Sequence, residues 1–241
     1  MKLFEREELF KLYLKLFPLK FIRYHNYRVR EFIKSISVSY DKKGKKLIDI
    51  GSEETPYRKY FKNLQYFTSD IKQNRNNSID YVEDINIGMK GIENEQFDYI
   101  ICTQVFEHIK KPNKAFEEFF RILKPGGLLF LTTHLIFEEH MQPNDYFRYT
   151  RYGLKYLGES VGFSLIHIHP HGGIFHVIAL IFDTLLIKLF IKRYNFLYYL
   201  YFLLFTVPIL CFNILCYYLD FLDKDKIMTL NYECIYQKPH K

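Results

Sequence analysis

The sequence predicts an α/β fold built on a mainly parallel sheet, and three observations carry that expectation. Aliphatic runs such as Leu47-Ile48, Ile100-Ile101 and Leu128-Leu129-Phe130-Leu131 are continuous rather than alternating, as strands buried on both faces are. Stretches with helical periodicity lie between them, so strand and helix alternate along the chain. The run Lys45-Lys46-Leu47-Ile48-Asp49-Ile50-Gly51-Ser52 ends in an acid and a glycine turn. Ligands of open α/β sheets sit at the carboxyl ends of strands, so that turn is the expected site.

Composition bounds the rest. The chain has 241 residues, enough for one α/β domain and an appendage. Hydrophobic residues make up 49% and aromatic residues 19%, an excess that one domain core does not absorb. The net charge of +7 permits contact with anionic lipid, nucleic acid or acidic ligands without choosing among them. No recognisable nucleic-acid module accompanies it, so no nucleic-acid partner is expected. Cys102, Cys211, Cys216 and Cys234 form no CxxC pair and no zinc-type cluster, which predicts a reduced, cytoplasmic setting and no metal. Charges at Glu5, Arg6, Glu7 and Glu8 interrupt any signal-peptide core.

Residues 1–44 form a basic, aromatic region. Leu9, Leu12, Tyr13, Leu16 and Phe17 fall at helical spacing, Pro18 stops that helix, and a second is expected from Phe21 to Ile36. Lys11, Lys15, Lys20, Arg23, Arg28 and Arg30 could face anionic head groups, or the helices could simply cover the domain. After Gly51, Pro56 marks the first turn of a helix expected over Tyr57 to Phe61. A second strand, Leu64 to Thr68, ends at Ser69-Asp70, with Asp70 roughly 20 residues past the glycine turn, where a nucleotide site places its ribose acid. A third segment, Ile79 to Val82, leads to Asp84 and Ile85, which suit an adenine edge and face or an ordinary loop.

The most explicit block comes next. Phe97 to Thr103 reads as a strand, followed by Gln104-Val105-Phe106-Glu107-His108-Ile109, a helix from Asn113 to Leu123 with Asn113 as its N-cap, Lys124-Pro125-Gly126-Gly127, and a fifth strand to Thr133. This order resembles the class I S-adenosylmethionine-dependent methyltransferases of the small-molecule type, over roughly residues 45–171. The resemblance implies a Rossmann-like seven-stranded sheet in the order 3-2-1-4-5-7-6, helices on both faces, and an antiparallel last strand. It also implies that Asp49 and Gly51 hold the methionine end of S-adenosylmethionine, Asp70 the ribose, Asp84 and Ile85 the adenine, and Gln104 the far pocket wall. One position departs from the pattern: Glu53 stands where the turn usually has a second glycine. A catalytically degenerate cofactor-binding or scaffolding protein is therefore the alternative to an enzyme. A nicotinamide dehydrogenase is disfavoured because its three-glycine turn is missing.

Methyl transfer from a sulfonium asks for positioning and, with a hydroxyl acceptor, a base. His108 and His134, at the ends of strands four and five, are the candidate catalytic residues. The following loop supplies His140, Tyr146 and Arg148 as candidate acceptor contacts, with an Arg148–Asp145 ion pair as the structural reading of Arg148. Thr150 is the expected N-cap of a helix over Tyr152 to Val161, before a sixth strand from Leu165 to His169.

Residues 172–228 are a hydrophobic helical insertion, and 229–241 hold the last strand, Leu230 to Gln237, with the tail. Phe196 to Leu219 carries no charge and would extend roughly 36 Å as a helix, which Pro208 and Asn213 would kink and locally polarise. Because the chain must return to the sheet, both ends of the insertion lie on one side. The expectation is a hairpin contacting a membrane through residues 174–222, in a cytoplasmic protein peripheral to the inner face of the membrane. The acceptor is expected to be a small, lipid-linked or saccharide-linked molecule, methylated at a hydroxyl.

Overall fold

A computed structural model describes residues 18–190 and 195–240. The first expected helix, with Lys11 and Lys15, lies outside these residues, as does the basic pair Lys192-Arg193. Two compact units emerge. The larger is Val29–His169 with Asn231–Lys241, and the smaller combines Met1–Arg28 with Pro170–Leu230.

In the larger unit the strands are β1 (Lys46–Ile50), β2 (Gln65–Asp70), β3 (Tyr81–Val82), β4 (Phe97–Thr103), β5 (Leu123–His134), β6 (Ser164–His171, whose end enters the smaller unit) and β7 (Asn231–Gln237). They form one sheet in the order β3-β2-β1-β4-β5-β7-β6, the order the resemblance implied. The pairs β1–β2, β1–β4, β2–β3 and β4–β5 are parallel, and β7 runs antiparallel to β5. This arrangement returns the chain after the insertion to the middle of the sheet.

Every residue of β4 is buried, which is why its sequence is apolar apart from Thr103 and Asp98, whose carboxylate pairs with Lys45 and Lys124. Alternate residues feed opposite faces. Ile48, Ile100, Cys102, Leu129 and Leu131 enter one cluster with Ala115, Phe116 and Phe119 of α3 (Pro112–Ile122) and with Leu154 and Leu157 of α4 (Arg151–Ser160). Leu47, Tyr99, Ile101 and Phe130 meet Phe32, Ile33 and Ile36 on the other face. Those three belong to α2 (Tyr24–Tyr40), which follows the short α1 (Leu19–Ile22). The second N-terminal helix therefore covers the domain, one of the two roles open to it.

Three local expectations need correction. The helix over Tyr57 to Phe61 is only a single 3₁₀ turn, Arg58–Tyr60, with Phe61 already extended. The Asp41 carboxylate accepts the N–H groups of Lys62, Asn63 and Leu64 at 2.8–2.9 Å, anchoring the chain before a costly helical nucleus could propagate. Asn113 is not an N-cap: α3 starts at Pro112, so Asn113 falls inside the first turn and Lys111 holds the cap position without a side-chain bond. The fifth strand starts at Leu123, earlier than its aliphatic run, with an irregularity between Phe97 and Tyr99 in its pairing to β4. Thr150 does cap α4, accepting the Gly153 N–H.

In the smaller unit, α5 (Ile174–Phe190) and α6 (Asn195–Leu219) run antiparallel, since His176 meets Tyr217 while Phe182 meets Phe212. Asn213 does polarise its helix: its amide donates to Asp183 of α5 at 3.0 Å. His176 stacks on Tyr24 at 3.7 Å and pairs with Asp220 at 2.9 Å, and Lys226 pairs with the other Asp220 oxygen. These polar contacts close the base of an otherwise apolar hairpin.

Candidate active site

At the carboxyl end of β1 the chain turns through Gly51 at φ +71, and its N–H bonds the Ser69 carbonyl at 2.8 Å. A Cβ at position 51 would lie 2.3 Å from the Val105 side chain, so only glycine lets that side chain pack against the turn. Glu53 adopts φ +43 with its side chain exposed. The turn therefore keeps the left-handed conformation that favours glycine, and the added bulk faces solvent. The Glu53 N–H donates to Asp70 Oδ2 at 2.9 Å, tying the glycine turn to the end of β2.

Asp49 is buried, and its Oδ2 accepts the Tyr66 hydroxyl at 2.5 Å. Burial pushes the carboxyl up to about 7, against the opposing pull of the Tyr66 hydrogen bond. Asp84 Oδ1 accepts both the N–H and the side-chain amide of Asn86, an Asx-type turn, while Ile85 is packed into the core. Gln104, at φ +56 where β4 ends, donates to Thr132 Oγ1 at 2.9 Å and to Asn231 Oδ1 at 3.1 Å. Its carbonyl oxygen is buried without a partner. The strand ends thus gather Gly51, Asp70 and Gln104 as expected. Nothing in the sequence marks the parts of Tyr66, which bonds Asp49, and Val105, which packs on Gly51.

A second group forms beyond β4 and β5. Glu107 is fully buried, with Oε2 accepting the Thr133 hydroxyl at 2.8 Å. His134 Nε2 lies 3.4 Å from Glu107 Oε1, and His140 Nε2 lies 4.0 Å from it. His108 Nδ1 is 2.6 Å from the Asn144 carbonyl, its ring edge-on to His140 at 4.7 Å. The loop after β5 is pinned here, because Tyr146 N–H bonds the Glu107 carbonyl and Tyr149 N–H bonds that of His134.

Arg148 grips Asp145 with two nitrogens at 2.7 and 2.6 Å and donates to the Phe147 and Glu138 carbonyls. The guanidinium holds the Asp145 carboxyl well below the usual range. Of its two readings, the structural ion pair describes Arg148; the guanidinium is engaged within its own loop. Tyr146 donates to Asn144 Oδ1 at 2.8 Å and so braces that loop. No zinc-type spacing exists in the sequence, yet Glu107, His134 and His140 present ligand atoms within 4.8 Å of one another. Tertiary folding, which spacing cannot register, brings them together.

The residues present suit S-adenosylmethionine: a left-handed glycine turn at the end of β1, a carboxylate at the end of β2, and a buried, unmatched amide oxygen at the end of β4. Comparison with known proteins agrees. Residues 21–167 match the family model described as a methyltransferase domain. A stretch of 72 residues is 31% identical to the thiol S-methyltransferase TMT1B of Rattus norvegicus, covering 30% of each chain. Another of 69 residues is 33% identical to the mitochondrial ubiquinone biosynthesis O-methyltransferase of Dictyostelium discoideum, covering 28% of this chain and 22% of that one. The matched stretches thus span less than a third of these relatives. The fold is similar to a sarcosine dimethylglycine methyltransferase structure from Galdieria sulphuraria, with a TM-score of 0.59 at 16% identity over 91% of this chain and 88% of that one. On sheet order and family match together, the chain belongs to the methyltransferase-domain family and has the class I methyltransferase fold.

Proposed function

We propose that the protein methylates a hydroxyl on an amphipathic, lipid-linked or saccharide-linked acceptor, working on the inner face of a membrane from the cytoplasm. The observation that carries this reading is the apolar face of the hairpin. Ile174, Ile178, Ile181 and Leu185 are exposed at helical spacing on α5, as are Leu204, Val207, Leu215, Tyr218 and Leu222 from α6 onward. Leu204–Leu222 has a mean hydropathy of 1.7 and the length to cross a membrane. The antiparallel return of α6 favours a hairpin entering one leaflet over a single crossing.

Bound S-adenosylmethionine supplies an electrophilic methyl on a sulfonium. In this chain the Gly51 turn would take its methionine end with Asp49 behind it, Asp70 its ribose, Asp84 and Ile85 its adenine, and Gln104 a donor on the far side. His108 is the favoured base. A carbonyl only accepts, so Asn144 fixes the proton on His108 Nδ1 and leaves the lone pair on Nε2. His134, the other candidate, has its ring stacked on Phe137 at 4.2 Å and its Nε2 turned to Glu107 Oε1 at 3.4 Å, whereas the buried His108 Nε2 has no partner. Relatives named for S- and O-methylation leave both acceptor atoms open. A thiol near pKa 8.5 needs little help from a base, whereas a hydroxyl needs one, and this favours oxygen.

The test is incubation of the protein with methyl-labelled S-adenosylmethionine and a membrane lipid extract. Label in a base-stable ether of an organic-phase product, lost in His108→Ala, is the expected result. Label confined to small water-soluble thiols would contradict the proposal.

A further inference from the structure

We infer that Glu107, His134 and His140 form a binding site for a divalent transition-metal ion, of which zinc is the first candidate. The donor set is two imidazoles and one carboxylate, a combination that binds zinc and related ions and leaves a coordination position open for an exogenous ligand. Glu107 Oε1, His134 Nε2 and His140 Nε2 converge, with the carboxylate oxygen 3.4 and 4.0 Å from the two nitrogens. A bound ion could sit among such atoms after small side-chain movements.

Two independent observations point to a ligand rather than to a closed hydrogen-bond network. Glu107 is fully buried, yet its Oε1 has no hydrogen-bond partner. A buried carboxylate oxygen left unmatched is costly, and a cation would remove that cost. Secondly, the surroundings orient the donors as outer groups do in metal sites. Thr133 holds Glu107 Oε2, turning Oε1 inward. His140 Nδ1 lies 3.1 Å from the Glu138 carbonyl and 3.4 Å from Asp145 Oδ2, so its proton resides there and Nε2 keeps its lone pair. Arg148 in turn fixes Asp145. The neighbouring trio of His108, His140 and Asp145 is a poorer cage: the Nδ1 atoms of both histidines face carbonyls, and Asp145 is engaged by Arg148. His140 is a quarter exposed and gives the ion a way in.

The site stands on its own geometry. Its use rests on the proposed reaction, in which the open position would take the acceptor oxygen and make its proton easier to remove at neutral pH.

The test uses the full chain without an affinity tag, stripped with chelator, and titrated with Zn2+ and with Co2+. One tight equivalent of zinc and a Co2+ visible spectrum of low-symmetry coordination are expected. Glu107→Gln, His134→Asn and His140→Asn should each weaken binding at least about tenfold, Asp145→Asn by roughly tenfold, and the surface change His167→Asn not at all. No binding beyond that of scattered surface histidines, or binding that Glu107→Gln and His140→Asn leave unchanged, would overturn the site. Circular dichroism and thermal unfolding of every variant report folding, and S-adenosylhomocysteine titration keeps the claims separate. Cofactor binding without metal binding overturns the metal site alone, whereas metal binding without cofactor binding supports the site and overturns the proposed function.

Discussion

The Tyr66 hydroxyl donates to Asp49 Oδ2 at 2.5 Å across neighbouring parallel strands, inside a cluster that solvent does not reach. Burial raises the Asp49 carboxyl to about 7, above its value of about 3.9 in an unfolded chain. The folded state therefore keeps a proton that the unfolded state releases, and stability falls as pH rises from about 4 to about 7, then levels off. The drop attributable to this group is on the order of 4 kcal/mol. Asp49→Asn should remove that slope. Urea unfolding at several pH values checks it, and an unchanged slope in the variant would assign the pH dependence to other groups.

The same proton bears on the cofactor. A positively charged methionine end near Asp49 favours its ionised form, so binding between pH 6 and 7 should release a proton and tighten as pH rises toward 8. Calorimetry of S-adenosylmethionine binding in buffers of different ionisation enthalpy measures the release directly. Asp49→Asn should abolish it.

Gly51→Ala should cost more than a left-handed glycine usually does. Gly44 has φ +84 with nothing within 4 Å of its added Cβ, so Gly44→Ala should lose about 1 kcal/mol of stability. At Gly51 the Val105 side chain also stands 2.3 Å away, and an added overpacking loss of about 1–3 kcal/mol is expected. Val105→Ala in the same chain should return the overpacking part only. Thermal unfolding of these three variants, with Val105→Ala alone as the reference, separates the two contributions.

Glu53 and Asp70 can be separated in the same way. Glu53→Gly relieves a positive φ and should stabilise the protein by up to about 1 kcal/mol while leaving cofactor binding intact. Asp70→Ala removes both the acceptor of the Glu53 N–H and the ribose acid, and cofactor affinity should fall roughly tenfold to several hundredfold. A cofactor site that appears only in Glu53→Gly would revive the degenerate reading.

Replacing Ile181 and Val207 together by Glu puts charge on exposed apolar positions of both hairpin helices. Binding to vesicles of phosphatidylethanolamine and phosphatidylglycerol should be lost, with unfolding stability changed by less than about 0.5 kcal/mol. Equal vesicle binding by the variant would remove the membrane from the proposed function.

The sheet was legible because burial on both faces leaves a local mark: Phe97–Thr103 is apolar except for Asp98 and the terminal Thr103. Gly51, Asp70 and Gln104 were legible as strand ends. The pairing of Tyr66 with Asp49 was not, because it depends on which strand lies beside β1 and which face each residue takes. The Glu107, His134 and His140 group was invisible for the same reason, its members meeting only where β4, β5 and the following loop converge. The missing helix after Pro56 was misread because Asp41, distant in sequence, captures the N–H groups that follow it.

The most direct measurement of the central assignment is calorimetric titration of the purified, folded protein with S-adenosylmethionine and S-adenosylhomocysteine, beside Asp70→Ala. Micromolar binding of one equivalent, sharply weakened in the variant, is the expected result. A folded protein that binds neither compound, or binds both equally well without Asp70, would contradict the site described at the ends of β1, β2 and β4.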